Sequence, residues 1–252
     1  MEFNVQRDGL TLAGIYEPAD QPTGTIAILM HGFTDDRGYT SSALLVQLAA
    51  RLRAIGVGTV RFDFNGHGHS DGHFVDMTVL NEIADAQAVL TAVQTRLHPQ
   101  RIDLLGHSQG GVVASMLAGY AADAIHKLVL LAPAATLKDD AIAGHTRGLV
   151  YDPHHIPATL LLSDTLTLGG FYLRTAQLLP IYETAQAFTG PVCLIHGDAD
   201  QIVDPIASKR YHDVYQDSTY HLLPGASHGL DGQARTTVLD LATAFVQDSR
   251  QN

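Results

Sequence analysis

The chain has 252 residues, 46% of them hydrophobic, and a formal net charge of −11. That is enough apolar material for one large domain, or a domain with an insertion, while the acidic balance excludes nucleic acid as an expected partner, since phosphate binding rests on clustered Lys and Arg and Lys209-Arg210 is an isolated pair. No run approaches the roughly 18 apolar residues of a membrane helix, the first ten residues lack the basic and apolar regions of a secretory signal, and the lone cysteine, Cys193, has no partner for an internal disulfide, so no membrane association is expected and the expected location is the cytoplasm.

Phe3–Arg7 and Leu10–Tyr16 read as strands joined by the turn residues Asp8-Gly9. Thr25–Met30 is a short apolar run suited to a buried central strand, and His31-Gly32-Phe33 follows it directly. Ser41–Ile55 carries Leu44, Leu45, Leu48 and Leu52 at helical spacing and stops at Gly56. Val57–Phe62 is the next strand. Asn81–Thr95 is helical, with Ile83, Ala86, Val89, Leu90 and Val93 on one face. Arg101–Leu105 is a strand, Val112–Tyr120 a helix and Lys127–Leu131 a buried strand. After a long interval come the strand Val192–Ile195, the helix Pro205–Tyr215, the strand Thr219–Leu223 and the amphipathic helix Arg235–Gln247. Strands alternating with helices predict a mostly parallel sheet with helices on both faces, the first hairpin adding antiparallel strands at one edge.

The interval from Pro133 to Pro191 is too long for a plain crossover. Pro153, Pro157, Pro180, Gly144, Gly148 and Gly169-Gly170 break it into short pieces, yet Leu160-Leu161-Leu162 and the run from Leu166 to Leu173 are too apolar for a disordered linker. Residues 133–190 read as a cap inserted into a core made of residues 1–132 and 191–252.

Gly106-His107-Ser108-Gln109-Gly110 stands between a strand and a helix, the context of a nucleophile elbow. The serine sits on a sharp turn, so its neighbours must lack bulk; the bland alternative is a glycine-rich turn with an ordinary serine. A serine nucleophile needs a base, and the base an orienting acid. Both are available after later strands: His228 in Gly225-Ala226-Ser227-His228-Gly229, and Asp200 in His196-Gly197-Asp198-Ala199-Asp200. Asp198 competes with Asp200 and better suits a turn. The oxyanion donors expected are the backbone N–H groups of Gln109 and Phe33. The run Gly66-His67-Gly68-His69-Ser70-Asp71-Gly72-His73 imitates a di-metal cluster with one residue too many before its third histidine, and a glycine-rich loop is the reading adopted, with no metal.

With these residues in place the chain resembles the α/β-hydrolase family, and more narrowly the bacterial cinnamoyl (feruloyl) esterases with an inserted cap. The resemblance rests on His31-Gly32-Phe33-Thr34, the stretch from Val60 to Gly68, Gly106 to Gly119, Leu131 to Lys138, Leu166 to Arg174 and Val192 to Gly197. It implies Ser108 as nucleophile, His228 as base, Asp200 as acid, Phe33 and Gln109 as oxyanion donors, no cofactor, and a cap that grips an aromatic ring and its phenolic hydroxyl. Asp140 and Tyr172 are the polar cap residues fitted to that task, and Arg147 stands where the resemblance expects an uncharged amide. The cap residues Asp139, Asp140, His145, Arg147, His154, His155 and Tyr172 make it polar for a lipase lid, with Leu166, Leu168 and Phe171 offered as walls of an apolar slot. The expected substrate is a small aromatic ester, hydrolysed through an acyl-enzyme. The other readings are a lipase-like esterase for acylglycerols or short aliphatic esters, a member of the fold that binds without turnover, and a metallohydrolase. A homodimer is compatible with the sequence, which does not set the oligomeric state.

Overall fold

The computed structural model describes residues 1–248; the last four residues of the expected core segment 191–252 lie outside the described residues. The chain begins with β1 (Val5–Arg7), β2 (Leu10–Leu12), β3 (Gly14–Glu17) and β4 (Thr25–Met30), followed by α1 (Leu44–Ala54), β5 (Gly58–Phe62), α2 (Val79–Leu97), β6 (Arg101–His107), α3 (Gln109–Tyr120) and β7 (Lys127–Leu131). Residues 133–190 contain α4 (Leu137–Ala143), the two-residue strands β8 (His145–Thr146) and β9 (Leu149–Val150), β10 (Thr159–Leu161), β11 (Thr167–Gly169), α5 (Gly170–Ala176) and α6 (Ile181–Ala185). The chain closes with β12 (Val192–Gly197), α7 (Ile206–Val214), β13 (Ser218–Leu223) and α8 (Ala234–Gln247). This is an α/β-hydrolase fold.

A seven-stranded sheet in the order β13-β12-β7-β6-β4-β5-β3 is parallel except at β3, which runs antiparallel to β5. The expectation that the whole first hairpin joins the sheet edge is corrected. β1 and β2 pair only with each other around Asp8 and Gly9, both at positive φ, and form a separate ribbon. The chain leaves that ribbon at Ala13, whose N–H donates to Ser70 Oγ and whose carbonyl accepts from Asp63, so the backbone there is held by the loop after β5. Only β3 continues into the sheet.

The strand order reverses between β4 and β6: the chain moves outward through β5 on one side and through β7, β12 and β13 on the other. In open α/β sheets the crevice past the strand ends at such a switch point is where ligands bind. Apolar runs in β4, β6 and β7 are buried on both faces, as helices cover both sides. Leu44, Leu48 and Leu52 of α1 join Val238 and Ala242 of α8 under one face. Val89, Val93, Val112, Met116 and Leu117 of α2 and α3 pack the other. Each such Leu, Val or Met side chain contributes roughly 1.5–3 kcal/mol on burial.

Two buried polar side chains fasten the layers. Lys127 at the start of β7 donates its ammonium to the carbonyls of Phe245 at 2.9 Å and Val246 at 3.3 Å, and to that of Asp248, capping the C-terminal end of α8. Asp85 on α2 accepts from Arg7 Nε at 2.6 Å, tying the β1–β2 ribbon to the helix layer. Within residues 133–190, β8–β9 and β10–β11 are antiparallel hairpins, and α6 packs on α3 with Ile181, Ala185 and Phe188 in the main core. No helix among the described residues is long and apolar enough to cross a membrane.

Candidate active site

Ser108 sits between β6 and α3 with φ 54° and ψ −122°, a strained conformation for a residue with a side chain. Its carbonyl accepts from Gly111 and Ala134 and its N–H donates to Leu131, so the turn is held from three sides. The bend also demands close backbone approach. A Cβ on Gly106 would lie 2.2 Å from the Gly110 carbonyl, one on Gly110 2.2 Å from the His31 carbonyl, and one on Gly32 2.9 Å from Ser108 Cβ. These contacts explain the glycines on physical grounds.

Past the ends of β12 and β13, Asp200 and His228 meet the serine. Ser108 Oγ lies 2.8 Å from His228 Nε2, and His228 Nδ1 lies 2.7 Å from Asp200 Oδ2. A buried carboxylate accepts and does not donate, so His228 carries its proton on Nδ1 and presents a basic Nε2 to the serine hydroxyl. Asp200 Oδ1 accepts from the N–H groups of Ile202 and Val203, and Oδ2 also accepts from His196 Nε2 at 3.1 Å. Burial pushes the Asp200 carboxyl up, but the bonds from His196, His228, Val203 and Ile202 outweigh it and hold the group well below the usual carboxylate range. Asp198 faces away and accepts from Gly225 N–H at 2.6 Å, shaping the turn.

Two histidines with no assigned role in the sequence reading support this arrangement. His196, fully buried, donates to Asp200 and accepts from Ser208 Oγ at 2.7 Å. His107, inside the elbow itself, donates from Nε2 to the His228 carbonyl at 3.0 Å. Burial, then the nearby His228, lowers the His107 pKa to about 4, so it is uncharged at neutral pH. The His107 pairing is not visible in sequence spacing, because it joins the end of β6 to the turn after β13; His196 sits four residues before Asp200, and only its bond to Ser208 on α7 depends on the packing of a separate element.

Phe33 and Gln109 line the same cleft as Ser108, and neither backbone N–H is engaged by another group of the described residues. Gln109 is the first residue of α3, where the helix N-terminus adds its partial positive charge. His31 fixes the Phe33 loop from below: Nδ1 donates to the Gly32 carbonyl at 2.8 Å and Nε2 accepts from Phe64 N–H at 3.1 Å.

The cleft runs from Ser108 under residues 133–190. Its walls are Phe33, Ala134, Leu137, Tyr172, Leu173, Ile202 and Val203, with Thr136, Asp140, Thr146 and Arg147 as polar groups. Tyr172 sets its ring against Phe33, tilted by 40° with centroids 5.4 Å apart, and donates its hydroxyl to Gln109 Oε1 at 2.6 Å. Asp140 accepts from Thr136 Oγ1 at 3.3 Å and lies 3.7 Å from His145; its pKa is raised, burial dominating over His145 and Thr136. Arg147, at φ 48°, places its guanidinium 5.9 Å from the centroid of the Phe33 ring. The apolar slot expected from Leu166, Leu168 and Phe171 does not form. Leu168 is buried in the core behind the cleft and Phe171 is 61% exposed, because α5 turns Tyr172 and Leu173 inward instead. Asp139 pairs with Arg210 and His155 with Asp152 on the surface.

The histidine-rich run after β5 is a tether. Asp71 accepts from Thr11 N–H, Ser70 from Ala13 N–H, and His67 donates to the Asn65 carbonyl. Among the described residues no group of three or more His, Cys, Asp or Glu side chains is placed to hold a metal ion.

Comparison with known proteins finds likenesses among hydrolases. The serine aminopeptidase S33 family matches residues 20–151. A structure of Est1E from Butyrivibrio proteoclasticus with ferulic acid bound superposes at a TM-score of 0.89, with 30% identity over 97% of this chain and 98% of that one. The monoacylglycerol lipase of Mycolicibacterium smegmatis is 26% identical over 92% of this chain and 91% of its own length. A Paleococcus ferrophilus monoacylglycerol lipase shares the fold, with a TM-score of 0.71 and 21% identity over 94% of this chain and 98% of that one.

Proposed function

This chain belongs to the serine aminopeptidase S33 family of α/β-hydrolases, and from that premise we propose that it is a cinnamoyl (feruloyl) esterase acting through an acyl-enzyme. The observation that carries the reading is the likeness, over nearly the whole chain, to an esterase solved with ferulic acid bound. The cleft supports it: Phe33, Tyr172 and Leu173 give it apolar walls suited to an aromatic ring, and Asp140 supplies a partly buried acceptor for a phenolic hydroxyl. Tyr172 gives its own proton to Gln109, which leaves its oxygen free to accept.

In this reading His228 Nε2 removes the Ser108 hydroxyl proton as Oγ attacks the ester carbonyl. The carbonyl electron pair moves onto oxygen, where the N–H groups of Phe33 and Gln109 hold it; such a donor is commonly worth roughly 3–4 kcal/mol. Asp200 orients His228 and stabilises its charged form. Collapse breaks the ester C–O bond, and His228 returns its proton to the leaving alcohol. Water then gives a proton to His228, attacks the acyl carbon, and frees the acid and Ser108. Residues 133–190 act as the cap that closes the acyl pocket. No cofactor takes part.

The deciding experiment is the ratio of kcat/KM on methyl ferulate to that on 4-nitrophenyl butyrate, with Ser108→Ala as the blank. A ratio near or above one is expected; one far below it would move the protein to esters of aliphatic acids. That second reading has its own support in the Mycolicibacterium smegmatis monoacylglycerol lipase. Ser108→Ala should abolish turnover and leave far-UV circular dichroism unchanged; residual activity in that variant would remove the serine assignment.

A further inference from the structure

Helix α2 turns a core-facing position over to a carboxyl group. Glu82 is 1% exposed and lies among Val79, Ile83 and Ala86 on the buried face. Its Oε2 accepts from Gln109 Nε2 at 2.7 Å, while its Oε1 is buried with no hydrogen-bond partner. Gln109 in turn accepts at Oε1 from Tyr172 Oη. The Gln109 side chain is therefore clamped at both ends, by α2 and by α5. A carboxyl with an unpaired oxygen destabilises the helix layer where it stands, so its one good bond is where an explanation must lie.

We infer that Glu82 is a positioning residue for the oxyanion site, fixing Gln109 so that its backbone N–H points at the carbonyl oxygen of the ester, in a buried chain of hydrogen bonds that runs on to Tyr172. Gln109 follows a strained serine and opens a helix without a side-chain cap, so its backbone orientation has no support from a capping bond. Anchoring the amide at two points supplies that support. The titratable groups facing Glu82 are Asp85 on its own helix, already bonded to Arg7 and Asn65, and Tyr172 on α5; α3 presents only the uncharged Gln109. Burial, opposed by the Gln109 bond and aided by Asp85, pushes the Glu82 carboxyl up to about 8, so at neutral pH it sets little negative charge beside the developing oxyanion.

The inference rests on Gln109 as an oxyanion donor but not on the hydroxycinnamate preference, so it is tested on 4-nitrophenyl butyrate at pH 7. The variants are Glu82→Leu, which removes the acceptor, Glu82→Asp, which withdraws it by one methylene, and Glu82→Gln, which keeps a neutral acceptor of the same length. Rates are normalised to the sites that react with a fluorophosphonate. Glu82→Leu and Glu82→Asp should lower kcat at least tenfold with KM within about twofold, and Glu82→Gln should recover kcat to within about threefold of the parent. Should Glu82→Leu fail to fold, the Asp and Gln pair decides. Equal kcat in Glu82→Asp and the parent, or a Glu82→Gln protein as impaired as Glu82→Asp, would overturn the proposal; a fall in ferulate preference alone would bear on the substrate and not on Glu82.

Discussion

At the scale of single residues the site depends on distances that leave no slack. Gly32 has no room for a methyl group, since its Cβ would stand 2.9 Å from that of Ser108, itself fixed by a strained turn. Gly32→Ala should therefore displace the proposed nucleophile or the Phe33 N–H and reduce kcat by roughly 100-fold, the scale on which a misplacement of about 1 Å acts. Steady-state kinetics at unchanged melting temperature would show it, and a rate within a few-fold of the parent would disprove it. Asp200→Asn should cost more, about 10⁴ in kcat, by favouring the wrong tautomer of His228; here the second donor, His196, also loses half of its acceptor set.

Among the elements, α8 and β7 are linked by a side chain that sequence analysis placed in a plain apolar strand. The Lys127 ammonium satisfies carbonyls at the end of α8 that the helix cannot satisfy itself. Lys127→Met, which keeps the stem and removes the donors, should destabilise by roughly 1–3 kcal/mol. In a chain of this size that lowers Tm by roughly 2–4 °C per kcal/mol. The proposed active site lies at the opposite ends of the strands, so kcat/KM at 25 °C should not change; a thermal scan and one kinetic run separate the two effects.

The whole molecule carries several histidines that burial keeps uncharged. His67 and His107 are lowered to about 4 and His31 is lowered as well, in each case mainly by burial. A base depressed in the folded state contributes stability that is present above its ordinary value and lost as pH falls through the folded value. For His67 and His107 stability should fall between about pH 6.5 and 4 by roughly 1.4 kcal/mol per pH unit each, and His31 adds a loss in the same direction. Asp200, also depressed, adds to the loss below the ordinary carboxylate range. Glu82 acts in the opposite sense: its raised value means stability is lost as pH climbs toward about 8. Glu82→Gln should accordingly gain stability relative to the parent at pH 8 and not at pH 4.5. Urea titrations at pH 4.5, 6.5 and 8 would test both limbs.

The sequence by itself determined the layered α/β architecture, because buried parallel strands write themselves as apolar runs such as Thr25–Met30 and Lys127–Leu131, which the structure reproduces at the same residues. The residues that meet around Ser108 were legible for a related reason: they follow strands, in turns whose glycines the backbone requires. Tertiary structure alone decided the rest. Only the packed sheet brings His107 to the carbonyl of His228, 121 positions away, and Gln109 to Glu82, 27 positions away. Nor could spacing say that α5 turns Tyr172 inward and Phe171 out, since residues 133–190 are short pieces whose facing is set by what they pack on. Local periodicity reports which face of an element is apolar; a hydrogen bond between distant elements depends on the final docking of both, and one chain position carries no record of it.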